Sequence, residues 1–287
     1  MKQRVITAAV LLALLAVVVW QIYTPLFIIV IAFLSAVASN EIMKCAKVSN
    51  KFILVFGTAL GAYIPFTSSE NIMSPWINSA KWGNIISFVP PAALIAIVVI
   101  AFCLAMIFDY KNTKFEDVAV SVVASVLVPY GFAMFGALRD FYGYRSPVGV
   151  YLIFYGLICA LGTDTGAQLG GMAFGKHKLC PNISPKKTVE GALCGVVFGF
   201  FLNMIALLLY NRFAYSTLDR KFVLTLLFCA PFVGALSMMG DLTASVLKRN
   251  FDVKDFGKIF PGHGGVMDRF DSSLFTIPLT FVIVSIL

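Results

Sequence analysis

The chemistry of this chain is concentrated in two short stretches. In the later one, Asp241, Ser245, Lys248 and Arg249 recur at i, i+4, i+7 and i+8. A helix there turns a carboxylate, a hydroxyl and two cations to one face. The run Pro261-Gly-His-Gly-Gly265 cannot be regular helix or strand, so His263, Gly264 and Gly265 are expected in a tight turn with positive-φ positions. Asp268-Arg-Phe-Asp271 follows, and Asp271 before two serines is expected as an N-cap. Asp268 has no such structural excuse, and it is expected to meet Asp241 across a cavity. Two carboxylates from separate elements, with two histidines in the whole chain, suit a hard, oxygen-seeking cation such as Mg²⁺. Lys254 and Arg269 add cations on the same stretch.

The earlier stretch opens at Asp164, which is expected to end an apolar span. A carboxylate at that depth is costly unless paired or metal-bound, although an interfacial helix end would also accept it. Gly166 and Gly170 have the spacing of helix–helix packing. Ser184-Pro-Lys186-Lys187-Thr188 offers two hydroxyls and two ammonium groups at the expected start of a span, a combination suited to phosphate at a helix N-terminus. Alone, a Lys-Lys pair at a membrane edge is more often a topology signal. The two stretches together read as metal-assisted phosphoryl-type chemistry at one membrane face.

What must position these residues is a set of apolar spans. The chain has 287 residues, 60% apolar and 13% charged, with a mean hydropathy of +0.90. A soluble domain is about half apolar and a quarter charged. Nine apolar runs are readable, at about 5–21, 25–39, 52–67, 86–108, 118–138, 148–163, 190–210, 222–240 and 272–287. The fold class is therefore all-α, a polytopic integral membrane protein of about nine transmembrane helices. With the N-terminus cytoplasmic, only Lys81, Arg139, Arg145, Arg212, Arg220 and Lys221 fall outside, so the positive-inside bias favours N-in and C-out. Loops 164–189 and 241–271 then share the cytoplasmic side. Residues 1–140 form the N-terminal helices and 141–287 the C-terminal catalytic region. Trp76 and Trp82 are expected as interfacial anchors. The first span, with no small-x-small cleavage site, is expected to be retained. The six cysteines, with no Cys-x-x-Cys, are expected to pack, and zinc is not expected. A net charge of +8 reflects cytoplasmic lysines, and nucleic acid is not expected as a partner because no soluble basic module carries the charge.

The motif Ser245-x-Leu-Lys-Arg-x₄-Lys-Asp-x-Gly-x₂-Phe-Pro-x-His-Gly-Gly-Val-x-Asp-Arg-Phe-Asp271 resembles the signature of phosphatidate cytidylyltransferases, the CDP-diacylglycerol synthases. The segment from Asp164-Thr-Gly-Ala through Ile-Ser-Pro-Lys-Lys-Thr to Glu190-Gly191 resembles that family's other cytoplasmic segment. The likeness covers residues 160–275, and one departure is Gln168, where the family usually has an aromatic residue. The resemblance implies transfer from CTP to phosphatidate, giving CDP-diacylglycerol and pyrophosphate, at the cytoplasmic face of a bacterial-type inner membrane. It implies Mg²⁺, with K⁺ as a candidate second metal. By position it makes Asp241 and Asp268 metal ligands, with Asp164 a third contributor. Lys186, Lys187, Lys248, Arg249 and Arg269 would hold the phosphates, with Ser184, Thr188, Ser245, Lys254, Gly264 and Gly265 around them, and His263 in the catalytic set. A homodimer is compatible with the sequence. Two alternatives stay open: a CTP-dependent transferase or lipid kinase with another acceptor, and a transporter. The transporter reading predicts charges mid-span and related halves, and the sequence offers neither.

Overall fold

The structure is a computed structural model, and it describes residues 13–68, 90–143, 145–214, 218–262 and 264–287. Trp76, Trp82, His263 and the first part of the 5–21 run lie outside the described residues; 13–20 is helical. The protein is mostly helical, and six described helices are long and apolar enough to cross a membrane. The chain forms two compact units, residues 1–140 with 253–269, and residues 141–252 with 270–287.

In the first unit, α1 is Pro25–Cys45, α2 Lys51–Thr67 and α3 Pro91–Phe108; α4 spans Phe115–Asp140 with a π-helical turn at Val123–Leu127. Proline opens α1 and α3, where a missing N–H costs nothing. Asn50 starts α2 by accepting from the amides of Phe52 and Ile53 at 3.0 and 3.3 Å, while its own amide donates to Thr113 Oγ1 at 3.0 Å. At the start of α4, Asp117 Oδ2 accepts from the Lys114 amide at 2.9 Å. Arg139, counted above among the outside cations, is fully buried. Its Nε and Nη2 bond the carboxylate of Asp140, and Nη1 donates to the Ile22 carbonyl at 3.0 Å. A guanidinium neutralised inside the unit is a packing element and carries no topology signal.

In the second unit, α5 is Pro147–Phe174, β1 Lys178–Cys180, β2 Ser184–Thr188, α6 Val189–Phe213, and α7 Arg220–Asn250. The one-turn helix α8, Met267–Phe270, has its first three residues in the first unit, and α9, Ser273–Ile286, lies in the second. Strands β1 and β2 pair antiparallel, with Lys178 opposite Thr188 and Cys180 opposite Ser184. Helices α5 and α6 approach closely because glycines line both. A Cβ on Gly170 would overlap Cys194, and one on Gly195 would lie 2.5 Å from the Thr163 carbonyl. The Tyr155 hydroxyl donates to the Leu226 carbonyl at 2.8 Å and ties α5 to α7.

Several sequence expectations change here. Asp164 does not end a helix, because α5 runs ten residues further, to Phe174. The stretch expected as loop 164–189 is thus partly helix. Ser184–Thr188 is strand rather than helix start; Thr188 alone caps α6, its Oγ1 accepting from the Gly191 amide at 3.1 Å. Asp271 is not the N-cap of the last helix. That position is Ser272, and Asp271 Oδ1 instead accepts from the adjacent Ser272 amide at 2.7 Å.

Candidate active site

Helices α5 and α7 and the segment just before α9 bring carboxylates of the second unit into one electrostatic neighbourhood. Asp164 projects from α5, where its Oδ2 accepts from the Ser272 hydroxyl at 3.1 Å. Asp241 lies on α7 and pairs with Lys187 from β2, Nζ to Oδ2 at 2.5 Å. Asp271 sits between α8 and α9, buried at 9% exposure. Burial first and the charge of Asp241 second push its carboxyl from an ordinary 3.8 up to about 7, while Lys248 on α7 pulls the other way. The placement follows from local sequence. The α7 helix continues through Gly240, whose missing side chain leaves room for the Asp271 carbonyl and the Phe275 ring. The β-hairpin delivers Lys187 inward while Lys186, one residue away, is exposed.

The Lys187–Asp241 pair is the hinge of this arrangement. Both side chains are about a quarter exposed, 23% and 28%. This partial exposure lets a ligand reach the pair. Yet the ammonium nitrogen itself is out of solvent and, apart from the ion pair, has no hydrogen-bond partner among the described residues. An ammonium has three N–H donors, so Lys187 has donors to give an anionic ligand. Asp164, Asp241 and Asp271 share this neighbourhood with Lys187 and Lys248.

Among the described residues, no three His, Cys, Asp or Glu side chains are gathered closely enough to form a ready metal site. The donor chemistry nevertheless fits a hard cation. The groups here are carboxylates and a hydroxyl, with no imidazole or thiolate, and Mg²⁺ commonly takes only one or two protein carboxylates and completes its shell with substrate phosphates and water.

The remaining sequence-selected residues divide by unit. Ser245 is half-buried on α7, and Arg249 is exposed near its end. His177, not selected from sequence, pairs through Nδ1 with Glu190 Oε1 at 2.5 Å, and Glu190 also accepts from the amides of Lys176 and His177. Glu190 thereby staples the chain entering the hairpin to the start of α6. Gln168 is exposed on α5, so its departure from the family pattern costs no packing in the unit. Lys254, Gly264, Gly265, Asp268 and Arg269 belong to the first unit. There Asp268 has a structural occupation: its Oδ2 accepts from the amides of Phe256 at 2.8 Å and Gly265 at 3.0 Å. Gly264 has φ +85°, as expected for the turn. Sequence reading missed Glu41 on α1, which accepts from the amides of Val266 and Met267. Glu41 falls just past the apolar run 25–39, so hydropathy did not mark it.

Relatives share this chain's length and pattern. It is 31% identical over 282 residues, 97% of both chains, to a phosphatidate cytidylyltransferase of Staphylococcus aureus (strain COL). It is 30% identical over 284 residues, again 97% of both, to one of Staphylococcus saprophyticus. It is 38% identical over 177 residues to one of Bacillus subtilis (strain 168), a match covering 61% of this chain and 62% of that one. The model of the cytidylyltransferase family matches residues 2–287, and the chain belongs to that family.

Proposed function

We propose that this protein transfers the cytidylyl group of CTP to phosphatidate, giving CDP-diacylglycerol and pyrophosphate. The observation that carries the reading is the charge arrangement of the second unit in a chain of this family. Lys187 is held on Asp241 with donors to spare, and Asp164 and Asp271 stand nearby. The reaction joins two polyanions, so its barrier is dominated by repulsion, and the protein's task is positioning and charge neutralisation. A phosphatidate oxygen attacks the α-phosphorus of CTP, the bond to the β-phosphate breaks, and pyrophosphate leaves. The attacking oxygen is already anionic, so no strong general base is needed.

Lys187 exchanges Asp241 for a phosphate of CTP, which frees Asp241. Lys248 offsets charge beside Asp271. Ser184, Lys186, Thr188, Ser245 and Arg249 are assigned to the phosphates with them. Asp241, with Asp164 contributing, would hold Mg²⁺, which polarises phosphoryl oxygens and offsets their charge when bound. The parts given to Asp268 in the metal shell, to His263 in catalysis, and to Lys254, Gly264, Gly265 and Arg269 at the phosphates rest on the family resemblance alone, as does K⁺ as a second metal. The proposal includes nine spans, with the shorter helices α2 and α9 among them, an N-terminus inside, a C-terminus outside, and the site on the cytoplasmic face of the inner membrane.

The test is pyrophosphate release by purified protein given CTP, with and without phosphatidate and Mg²⁺. Release that needs both is expected. Release without a lipid acceptor, or none with phosphatidate when another lipid phosphate or lipid alcohol supports turnover, would overturn the assignment of the acceptor.

A further inference from the structure

The turn between Phe256 and Asp268 in the first unit is closed by two carboxylates. Asp268 supplies one from within the turn, bonding the amides of Phe256 and Gly265. Glu41 supplies the other from α1, a separation of 225 residues along the chain. Its Oε1 accepts from the Val266 amide at 3.2 Å and its Oε2 from the Met267 amide at 3.0 Å. The carboxylate is buried, at 6% exposure. Gly257 and Gly265 flank it so closely that a Cβ on either would overlap its oxygens. One turn along α1, Cys45 Sγ donates to the Phe256 carbonyl at 3.1 Å.

A carboxylate in a helix long and apolar enough to cross a membrane is costly, and an apolar contact would anchor a loop at less expense. What a carboxylate adds is direction. It is an acceptor only, with two oxygens, and here each takes one of two consecutive amides. Those amides stand at the start of α8, where helical N–H groups have no partner within the helix. Fixing both fixes the orientation of the turn of helix that carries Asp268 and Arg269.

We propose that Glu41 is a positioning residue: it sets the orientation of the 256–268 turn and of α8, and through them the placement of Asp268 and Arg269 for turnover. This deepens the cytidylyl-transfer reading and rests on it. The effect is geometric, and a misplacement on the order of 1 Å can cost about 100-fold in rate.

Two variants separate this role from simple stabilisation. Glu41→Gln keeps the size but puts an NH₂ donor against an amide N–H. Gly257→Ala keeps Glu41 and its charge but crowds the carboxylate off its partners. Each is measured for kcat, for KM toward CTP and phosphatidate, for thermal midpoint in detergent, and for hydrogen exchange at the Val266 and Met267 amides. Both variants are expected to lose about 10–100-fold in kcat, with KM within about threefold, a folded protein, and faster exchange at the two amides. The proposal is overturned if kcat per folded molecule stays within about twofold of the parent, or if the two amides exchange as slowly as before. Should the parent protein itself release no pyrophosphate from CTP, the functional reading fails, and the exchange rates still decide whether Glu41 holds the turn.

Discussion

The two units use buried carboxylates in opposite ways. In the first, Glu41 and Asp268 end on backbone amides: four N–H groups of one turn are accounted for by two side chains. In the second, Asp164, Asp241 and Asp271 face a lysine pair, a serine hydroxyl and one another. Carboxylates given to amides are fixed and have little left to exchange. In the function proposed above, it is the second set, coupled to one another and to Lys187, that takes a cation. The contrast separates residues that shape a site from residues that bind in it, and substitutions that keep size but remove charge test it directly.

The largest effect is expected at Asp241. Asp241→Asn leaves α7 intact and removes the charge that Lys187 and a metal compete for. Turnover is expected to fall by about 1000-fold, with the thermal midpoint nearly unchanged. Asp268→Asn comes next, at about 100-fold or more, and it should differ in kind. The Asn NH₂ can face the amides that Oδ2 now accepts, so turnover and thermal midpoint are expected to fall together. Loss of turnover at an unchanged midpoint would instead move Asp268 to the binding class, as the family resemblance has it. Lys187→Gln is expected to raise KM for CTP by about 10-fold with the protein still folded, as read by its thermal midpoint. Unchanged KM would leave Lys187 a partner of Asp241 alone.

A smaller effect is expected in the pH dependence of stability. With metal removed by EDTA, Asp271 holds its proton up to about pH 7 in the folded state, against an ordinary 3.8. Across that window the folded state binds more protons than the unfolded one, so stability is present at low pH and is lost as pH rises toward 7 and beyond. The full linkage is about 4 kcal/mol at most. Asp271→Asn mimics the protonated carboxyl and should flatten the trend between pH 5 and pH 8, read as thermal midpoints in EDTA. An equal slope in parent and variant would remove Asp271 from the cluster of interacting charges.

The sequence revealed chemistry better than it revealed position. The i, i+4, i+7, i+8 face of Asp241, Ser245, Lys248 and Arg249 was legible because α7 does continue to Asn250, and helical period is the strongest local signal. The apolar runs all fall on helices where they are described, since hydrocarbon length is a direct constraint. The helix beyond Asp164 was not read because the apolar run stops there, whereas α5 continues to Phe174. The hairpin was missed because its strands are three and five residues long, too short for alternation to show. Glu41 was missed for another reason: its partners are amides 225 residues away, and nothing local encodes a tertiary hydrogen bond.

The smallest effect is expected three residues from the residue that sequence reading missed. Lys44 shares the last turns of α1 with Glu41, but Lys44 is exposed where Glu41 is buried. At a helix C-terminus its charge favours the macrodipole by only about 0.3–1 kcal/mol, and in the orientation proposed above it serves topology and lipid attraction. Lys44→Gln is therefore expected to leave kcat and both KM values within about twofold of the parent, since single surface substitutions rarely move stability by more than about 0.5 kcal/mol. Set beside Glu41→Gln, the pair compares two substitutions to the same side chain within one turn of one helix. If Lys44→Gln proved as damaging as Glu41→Gln, the loss would follow the disturbance of α1 as a whole, and the distinction between a carboxylate that aims the turn and a cation that only faces the membrane surface would collapse.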